Sequence, residues 1–273
     1  MRYSKMFQQV RNEGHLAYIP FVVIGDPNEE LSLEIIDQLV TNGADGLELG
    51  LAFSDPVADG PVIQQSILRP LANQFSVSSG LRLVAKVREK YPQLPIGLLI
   101  YANLVFAQGI KSFFNQCCNA GIDSILIADC PVKESKLFAG AAEESGIDLV
   151  FIAPPDANDE TLQQIANTSK GYTYVLSRKG ITGTEVAASK ASTEFLGKLR
   201  NFGSPPLVQG FGISKPQHVF DAAKAGVDGI ITGSAIVNLI NRHYNTPQIM
   251  LEHIGDYVRT IAQAAHTNHA QSA

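Results

Sequence analysis

Two rhythms of apolar and polar positions alternate along the chain. Short, nearly continuous apolar runs fall at 17–24, 42–50, 95–101, 120–129, 145–153, 172–177, 206–210 and 225–234. Between them lie stretches in which apolar residues recur every three or four positions, as at 31–41, 80–90 and 111–120. The first rhythm predicts strands and the second amphipathic helices. Four of the strands share an entry: a helical stretch ends in glycine, then comes an apolar residue, then aspartate. It reads Gly43-Ala44-Asp45, Gly121-Ile122-Asp123, Gly146-Ile147-Asp148 and Gly226-Val227-Asp228. Glycine just past a helix end takes the left-handed conformation that closes the helix. The apolar runs that follow suit parallel strands covered on both faces.

Eight strands alternating with helices describe a parallel α/β protein, either a closed barrel or an open doubly wound sheet. The open fold would carry G-x-G-x-x-G after its first strand, where this chain has Ile24-Gly25-Asp26-Pro27-Asn28. The glycine pair Gly210-Phe211-Gly212 comes after the seventh run and lacks a third glycine. The pattern therefore predicts a single (β/α)₈ barrel, a TIM barrel with an extra N-terminal helix, spanning residues 1–273, with 266–273 a frayed tail.

A chain of 273 residues suits one such barrel, and 45% hydrophobic with 17% charged residues is ordinary globular composition. The net charge of -5 argues against a nucleic-acid groove. No apolar run has a membrane-spanning length, and the first fifteen residues are polar. Three cysteines, two of them adjacent at Cys117 and Cys118, make neither a disulfide framework nor a metal spacing. These features predict a cytoplasmic protein without nucleic-acid or membrane partners.

Barrel chemistry sits at the C-terminal ends of the strands, so those ends are read separately. After the seventh run stands Gly212, and after the eighth Gly233-Ser234, which open a short helix at 235–241. Glycines that let backbone N–H groups approach, backed by a helix dipole, describe a phosphate site; read alone, the same glycines are turns. In the second run, period-two alternation turns Leu47 and Leu49 toward the helices and Glu48 into the barrel mouth. A carboxylate there is either half of a structural ion pair or a group whose pKa burial has raised for proton transfer. Asp59 follows in a loop punctuated by Pro56 and Gly60, where an aspartate serves as a turn former or as a mobile ligand group. A polar run with two glycines, 177–185, follows the sixth strand and reads as a lid.

These segments together carry a resemblance. The stretches LELGLAFSDPVADGPVIQ at 47–64, LLIYANLVF at 98–106, SRKGITGTE at 177–185, QGFGISKP at 209–216 and GSAIV at 233–237 are similar to the tryptophan synthase alpha subunit family, in register from about residue 1 to 265. The chain departs from the family at Ala52, where proline is usual; its absence loosens the loop by up to roughly 1 kcal/mol of chain entropy.

The resemblance implies a lyase that cleaves indole-3-glycerol phosphate to indole and glyceraldehyde 3-phosphate by a retro-aldol step. It implies Glu48 and Asp59 as catalytic residues, with Gly183, Gly212, Gly233 and Ser234 at the phosphate. Phe21, Leu99, Tyr174, Thr182, Phe211 and Ile231 would form the indole pocket; Thr182 and Arg178 would belong to the lid, with Thr182 meeting Asp59 on closure. Asp55, Pro56 and Asn103 would face a beta subunit in an alpha2beta2 heterotetramer. Pyridoxal phosphate would belong to that partner, and this chain would need no cofactor.

Other chemistries fit less well. The substrate lacks the carbonyl that a lysine Schiff base needs. His15, His218, His243 and His253 are scattered, and His266 and His269 share only helical spacing in the tail, so no metal is expected. Cys130 reads as a buried structural thiol. An isomerase barrel would share the phosphate site without the Glu48–Asp59 segment, and a non-catalytic partner subunit would lack one of the two carboxylates.

Overall fold

A computed structural model describes residues 1–176, 193–267 and 269. Nine parallel strands form its sheet: β1 Ala17–Val23, β2 Leu47–Gly50, β3 Ile96–Ile100, β4 Ser124–Ile127, β5 Asp148–Val150, β6 Ile152–Ala153, β7 Thr173–Leu176, β8 Leu207–Gly210 and β9 Gly229–Thr232. The order is β5-β4-β3-β2-β1-β9-β8-β7-β6. Its two end strands, β5 and β6, are consecutive pieces of one chain segment interrupted at Phe151, so the ring is closed through the chain itself. One of the eight expected runs is thereby split into two short strands, and the others each hold one. The closure that distinguishes barrel from open sheet is made by β1 against β9, with Ala17 beside Gly229 and Ile19 beside Ile231.

The predicted helices occur as Glu29–Thr41, Val77–Lys90 and Ile110–Ala120, joined by others such as Pro61–Ala72, Ala102–Gln108 and Pro247–Ala265. Asn28 and Ser76 cap two of them, accepting from Leu31 N at 3.0 Å and Ser79 N at 3.1 Å. At the repeated strand entry, Gly121 and Gly226 close their helices with φ of 82° and 96°. The aspartate two residues on has its own purpose. Asp45 accepts from Tyr18 N, Asp123 from Ile96 N and Asp228 from Leu207 N, at 2.8, 2.9 and 2.8 Å. Each carboxylate thus satisfies a backbone donor at the start of the neighbouring strand. Asp148, the fourth of the series, makes no such side-chain bond among the described residues.

Alternation along the strands sorts the core into two layers. Tyr18, Val22, Leu47, Leu49, Leu98 and Ile230 pack outward against helices. Ile19, Phe21, Leu126, Val150, Val208 and Ile231 fill the barrel interior. The N-terminal helix Arg2–Glu13 plugs the lower end of that interior with Tyr3, Met6, Phe7 and Val10. The upper end, at the strand C-termini, stays open.

At the head of the tail, His266 Nε2 lies 2.9 Å from Asp45 Oδ2, and His269 N donates to Gly14 O at 2.9 Å. The rest of the tail, 268 and 270–273, lies outside the described residues. No helix among the described residues is long and apolar enough to cross a membrane.

Candidate active site

The open end holds a pocket of about 520 Å³. Glu48 enters it from the middle of β2, flanked in register by Phe21 of β1 and Gly97 of β3. Its side chain is 1% exposed, and Oε1 accepts from the Tyr172 hydroxyl at 2.8 Å. Burial pushes the Glu48 carboxyl up to about 7, while the Tyr172 hydrogen bond pulls it back by favouring the charged form. The carboxyl therefore exchanges protons near neutrality, and among the described residues its hydrogen-bond partner is a phenol rather than a cation.

Asp59 reaches the same pocket from the loop after β2. Its Oδ2 accepts from the Tyr101 hydroxyl at 2.7 Å, and its backbone carbonyl accepts from Gln64 Nε2 at 2.8 Å. Burial raises its carboxyl pKa and the Tyr101 bond opposes that rise. Tyr101 organises the whole loop: its hydroxyl also accepts from Ala58 N at 3.2 Å, and its ring stacks on Phe53 at 5.2 Å. Burial, and then Asp59, keep the Tyr101 phenol protonated far above neutral pH, so it remains a donor.

The slot beside the carboxylates is apolar. Phe21, Leu99, Tyr174, Phe211 and Ile231 all line it, as do Ile63 and Ile213. Tyr174 and Phe211 meet edge to face at 6.2 Å. A Cβ on Gly210 would collide with the Tyr174 hydroxyl, so the ring lies directly against the strand backbone. Phe211 itself holds a φ of 62°, a conformation that costs a non-glycine residue on the order of 1 kcal/mol or more. That strain turns its ring into the slot. The next residue, Gly212, also has positive φ, at 78°.

Gly212, Gly233, Ser234 and Ala235 close the far side of the pocket. Ser234 opens the helix Ser234–His243, so the first helical N–H groups and the positive end of the dipole lie there. Among the described residues the lining includes no lysine, arginine or histidine. What these residues offer an anion at this end is backbone donors and the helix terminus.

The described residues thus bring together Glu48, Asp59, Gly212, Gly233, Ser234, Phe21, Leu99, Tyr174, Phe211 and Ile231 around one pocket. Gly183, Thr182 and Arg178 lie outside the described residues. Asp55 and Asn103 are exposed and Pro56 half-buried, on the rim just beyond β2 and β3. Sequence reasoning missed Tyr172, Tyr101, Ile63, Ile213 and Ala235. Tyr172 was within reach, since it precedes Tyr174 by two residues and so shares its inward phase. Cys130 departs from the expected buried thiol: it is partly exposed, with burial raising its pKa to about 11, a poor nucleophile. No group of three or more metal-ligating side chains occurs among the described residues.

The comparisons with known proteins point one way. The family model for the tryptophan synthase alpha chain matches residues 7–266. A tryptophan synthase alpha chain from Shewanella baltica is 51% identical over 263 residues, covering 96% of each chain. One from Francisella tularensis is 51% identical over 265 residues, covering 96% of this chain and 98% of its own. Among solved structures, a tryptophan synthase subunit alpha from Legionella pneumophila superposes with a TM-score of 0.86 at 28% identity, covering 97% of this chain and 98% of that one. A tryptophan synthase complex from Pyrococcus furiosus contributes a chain with a TM-score of 0.80 at 31% identity, covering 90% of this chain and 98% of that one. With a buried carboxylate, an apolar slot and an anion-ready helix end in one barrel mouth, and relatives matching nearly end to end, the chain belongs to the tryptophan synthase alpha chain family.

Proposed function

We propose that Glu48 and Asp59 are the groups with which this chain cleaves indole-3-glycerol phosphate to indole and glyceraldehyde 3-phosphate. The chain is a carbon–carbon lyase of tryptophan biosynthesis. It uses no cofactor of its own; pyridoxal phosphate belongs to the beta subunit, with which it forms an alpha2beta2 heterotetramer in the cytoplasm.

The observation that carries the residue assignment is the Glu48 carboxyl, 1% exposed and raised to about 7, in the same pocket as Asp59. Retro-aldol cleavage must expel carbon 3 of the indole ring, a poor carbanion. Protonation of that carbon first gives an indolenine with positive charge on its nitrogen. The breaking carbon–carbon bond then returns its electrons to the ring, while the side-chain hydroxyl loses its proton and becomes the aldehyde. Glu48 moves both protons, donating one to the ring carbon and accepting the other from the hydroxyl. Asp59 accepts the ring N–H hydrogen bond and stabilises the charge that develops there. Proton transfer and charge placement are each worth orders of magnitude in rate.

The remaining pocket fits the rest of the molecule. The indole ring occupies the slot between Phe21, Leu99, Tyr174, Phe211 and Ile231, and the phosphate sits on the backbone donors of Gly212, Gly233 and Ser234. Gly183 belongs to the same proposed phosphate site and Thr182 to the proposed substrate pocket, both outside the described residues. Asp55, Pro56 and Asn103 meet the beta subunit. Indole release from indole-3-glycerol phosphate by the purified chain, abolished in Glu48→Gln, tests this reading; a chain that releases no indole with or without a beta subunit overturns it.

A further inference from the structure

The helix Pro61–Ala72 begins two residues after Asp59, and its third turn carries Arg69. The Arg69 guanidinium grips Asp26 with two bonds, Nε to Oδ1 at 2.6 Å and Nη2 to Oδ2 at 2.7 Å. The Asp26 side chain is fully buried and that of Arg69 is 17% exposed. Nη2 also donates to Asn241 Oδ1 at 2.7 Å, and the guanidinium lies over the Tyr244 ring at 5.2 Å. Asn241 belongs to the helix Ser234–His243, whose first residue lines the pocket. Its other amide atom, Nδ2, donates to Val62 O at 3.4 Å, in the first turn of the Pro61–Ala72 helix.

One asparagine side chain therefore holds the neighbouring helix at two places, the first turn and the third. Desolvating an arginine and an aspartate is costly, and a buried hydrogen-bonded pair of this kind fixes the register of the elements it joins. Here those elements are the loop after β1, the helix that follows the Asp59 loop, and the helix that opens at Ser234. The first turn of Pro61–Ala72 is tied onward to Asp59 through the Gln64 bond to the Asp59 carbonyl. Two helices locked side by side move together, because packed elements shift between discrete arrangements rather than stretch.

We infer that Asp26, Arg69 and Asn241 form a positioning cluster through which an anion on the Ser234 helix terminus orders the loop bearing Asp59. This rests on the assignment of the anion site and of Asp59 given above. None of the three residues touches the substrate; each acts through the helix that leads to Asp59.

The test uses the full chain, glycerol 3-phosphate as the probe, and hydrogen exchange of the amides of residues 54–60. In the unaltered chain, glycerol 3-phosphate slows exchange across that segment. Asn241→Leu binds glycerol 3-phosphate with affinity within about threefold, yet loses most of the ligand-induced protection; indole release shows kcat down by about tenfold with KM little changed. Should Asn241→Leu fail to fold, Arg69→Lys carries the same expectation, since it keeps the charge facing Asp26 and gives up the fork that reaches Asn241. Full ligand-induced protection in the variant overturns the coupling, as does absence of protection in an unaltered chain that binds the probe. Equal losses of affinity and kcat also overturn it, reducing the cluster to a support for the anion site. An unaltered chain that neither binds the probe nor releases indole removes the functional assignment itself, and is recognised before any variant is made.

Discussion

Tyr172 donates its phenolic hydrogen to Glu48 Oε1 at 2.8 Å, in a place where both side chains are 1% exposed. The bond favours the charged carboxylate, whereas burial favours the neutral acid and prevails, leaving the pKa at about 7. Removing the hydroxyl removes the only one of these two effects that lowers the pKa. Tyr172→Phe is expected to move the inflection near pH 7 in the kcat/KM profile upward. Indole release measured from about pH 5 to 9 decides it; an inflection that stays in place would separate Glu48 from the observed titration.

The same carboxyl makes a prediction about stability. Its folded pKa of about 7 lies above the ordinary 4.5, so between these values the folded chain holds a proton that the unfolded chain has lost. This contribution is fully present below about pH 4 and disappears as pH rises through about 7. Glu48→Gln carries no charge to bury. It should be more stable than the unaltered chain at pH 8, by up to about 3 kcal/mol, with the difference vanishing toward pH 4. Urea unfolding at both pH values measures it. The same variant should lose at least about 10²-fold in indole release, so that stability and activity move in opposite directions.

Asp59→Asn should lower turnover far more than substrate affinity. A neutral amide still fits the loop and still meets Tyr101, but it cannot balance a positive indolenine nitrogen, and that charge develops on the way to the transition state. Steady-state kinetics separate the two quantities. Equal losses in affinity and rate constant would give Asp59 a plain binding role.

Glycerol 3-phosphate should raise the melting temperature and glycerol should not, because the donors at Gly212, Gly233 and Ser234 require an anion. At a hundred times its dissociation constant a ligand contributes about 2.7 kcal/mol. If neither glycerol 3-phosphate nor inorganic phosphate shifts the melt, the anion site is elsewhere.

A beta subunit should accelerate indole release, and Tyr101 supplies the route. It stacks on Phe53, accepts from Ala58 and donates to Asp59, and its backbone stands at the start of the helix that carries Asn103. A partner touching Asp55 and Asn103 would therefore bear on the position of Asp59 through this one residue. Ala52, where the family usually has proline, makes the ordered loop costlier, so Ala52→Pro should raise the rate of the isolated chain and narrow the partner's effect. Rates with and without saturating beta subunit, in both sequences, test this. A complex that forms and leaves the rate unchanged excludes gating by contact.

What the sequence disclosed follows from the range over which each signal acts. Glu48 was legible because period two is a local rule, and Ser234 because strand end and helix start are adjacent in the chain. The repeated glycine-apolar-aspartate entry predicted strand positions, but the reason for its aspartate lay in a neighbouring strand, as with Asp45 and Tyr18 N. Tyr172 and Glu48 are 124 residues apart, and Arg69 and Asn241 are 172 apart. No local periodicity pairs such residues; only closure of the barrel does. The break at Phe151 was invisible for the opposite reason, because the run around it is uniformly apolar and carries no glycine or proline at the interruption.

Closure of β1 onto β9 has a consequence during synthesis. Ala17 finds its neighbour only in Gly229, so more than two hundred further residues must leave the ribosome before that edge can be covered. Until then β1 offers unpaired backbone donors and acceptors on a strand whose every residue is buried in the finished protein. At roughly 5–20 residues per second that exposure lasts on the order of ten seconds or more. The edge that closes the finished barrel is thus the one that stays open through most of the chain's own synthesis.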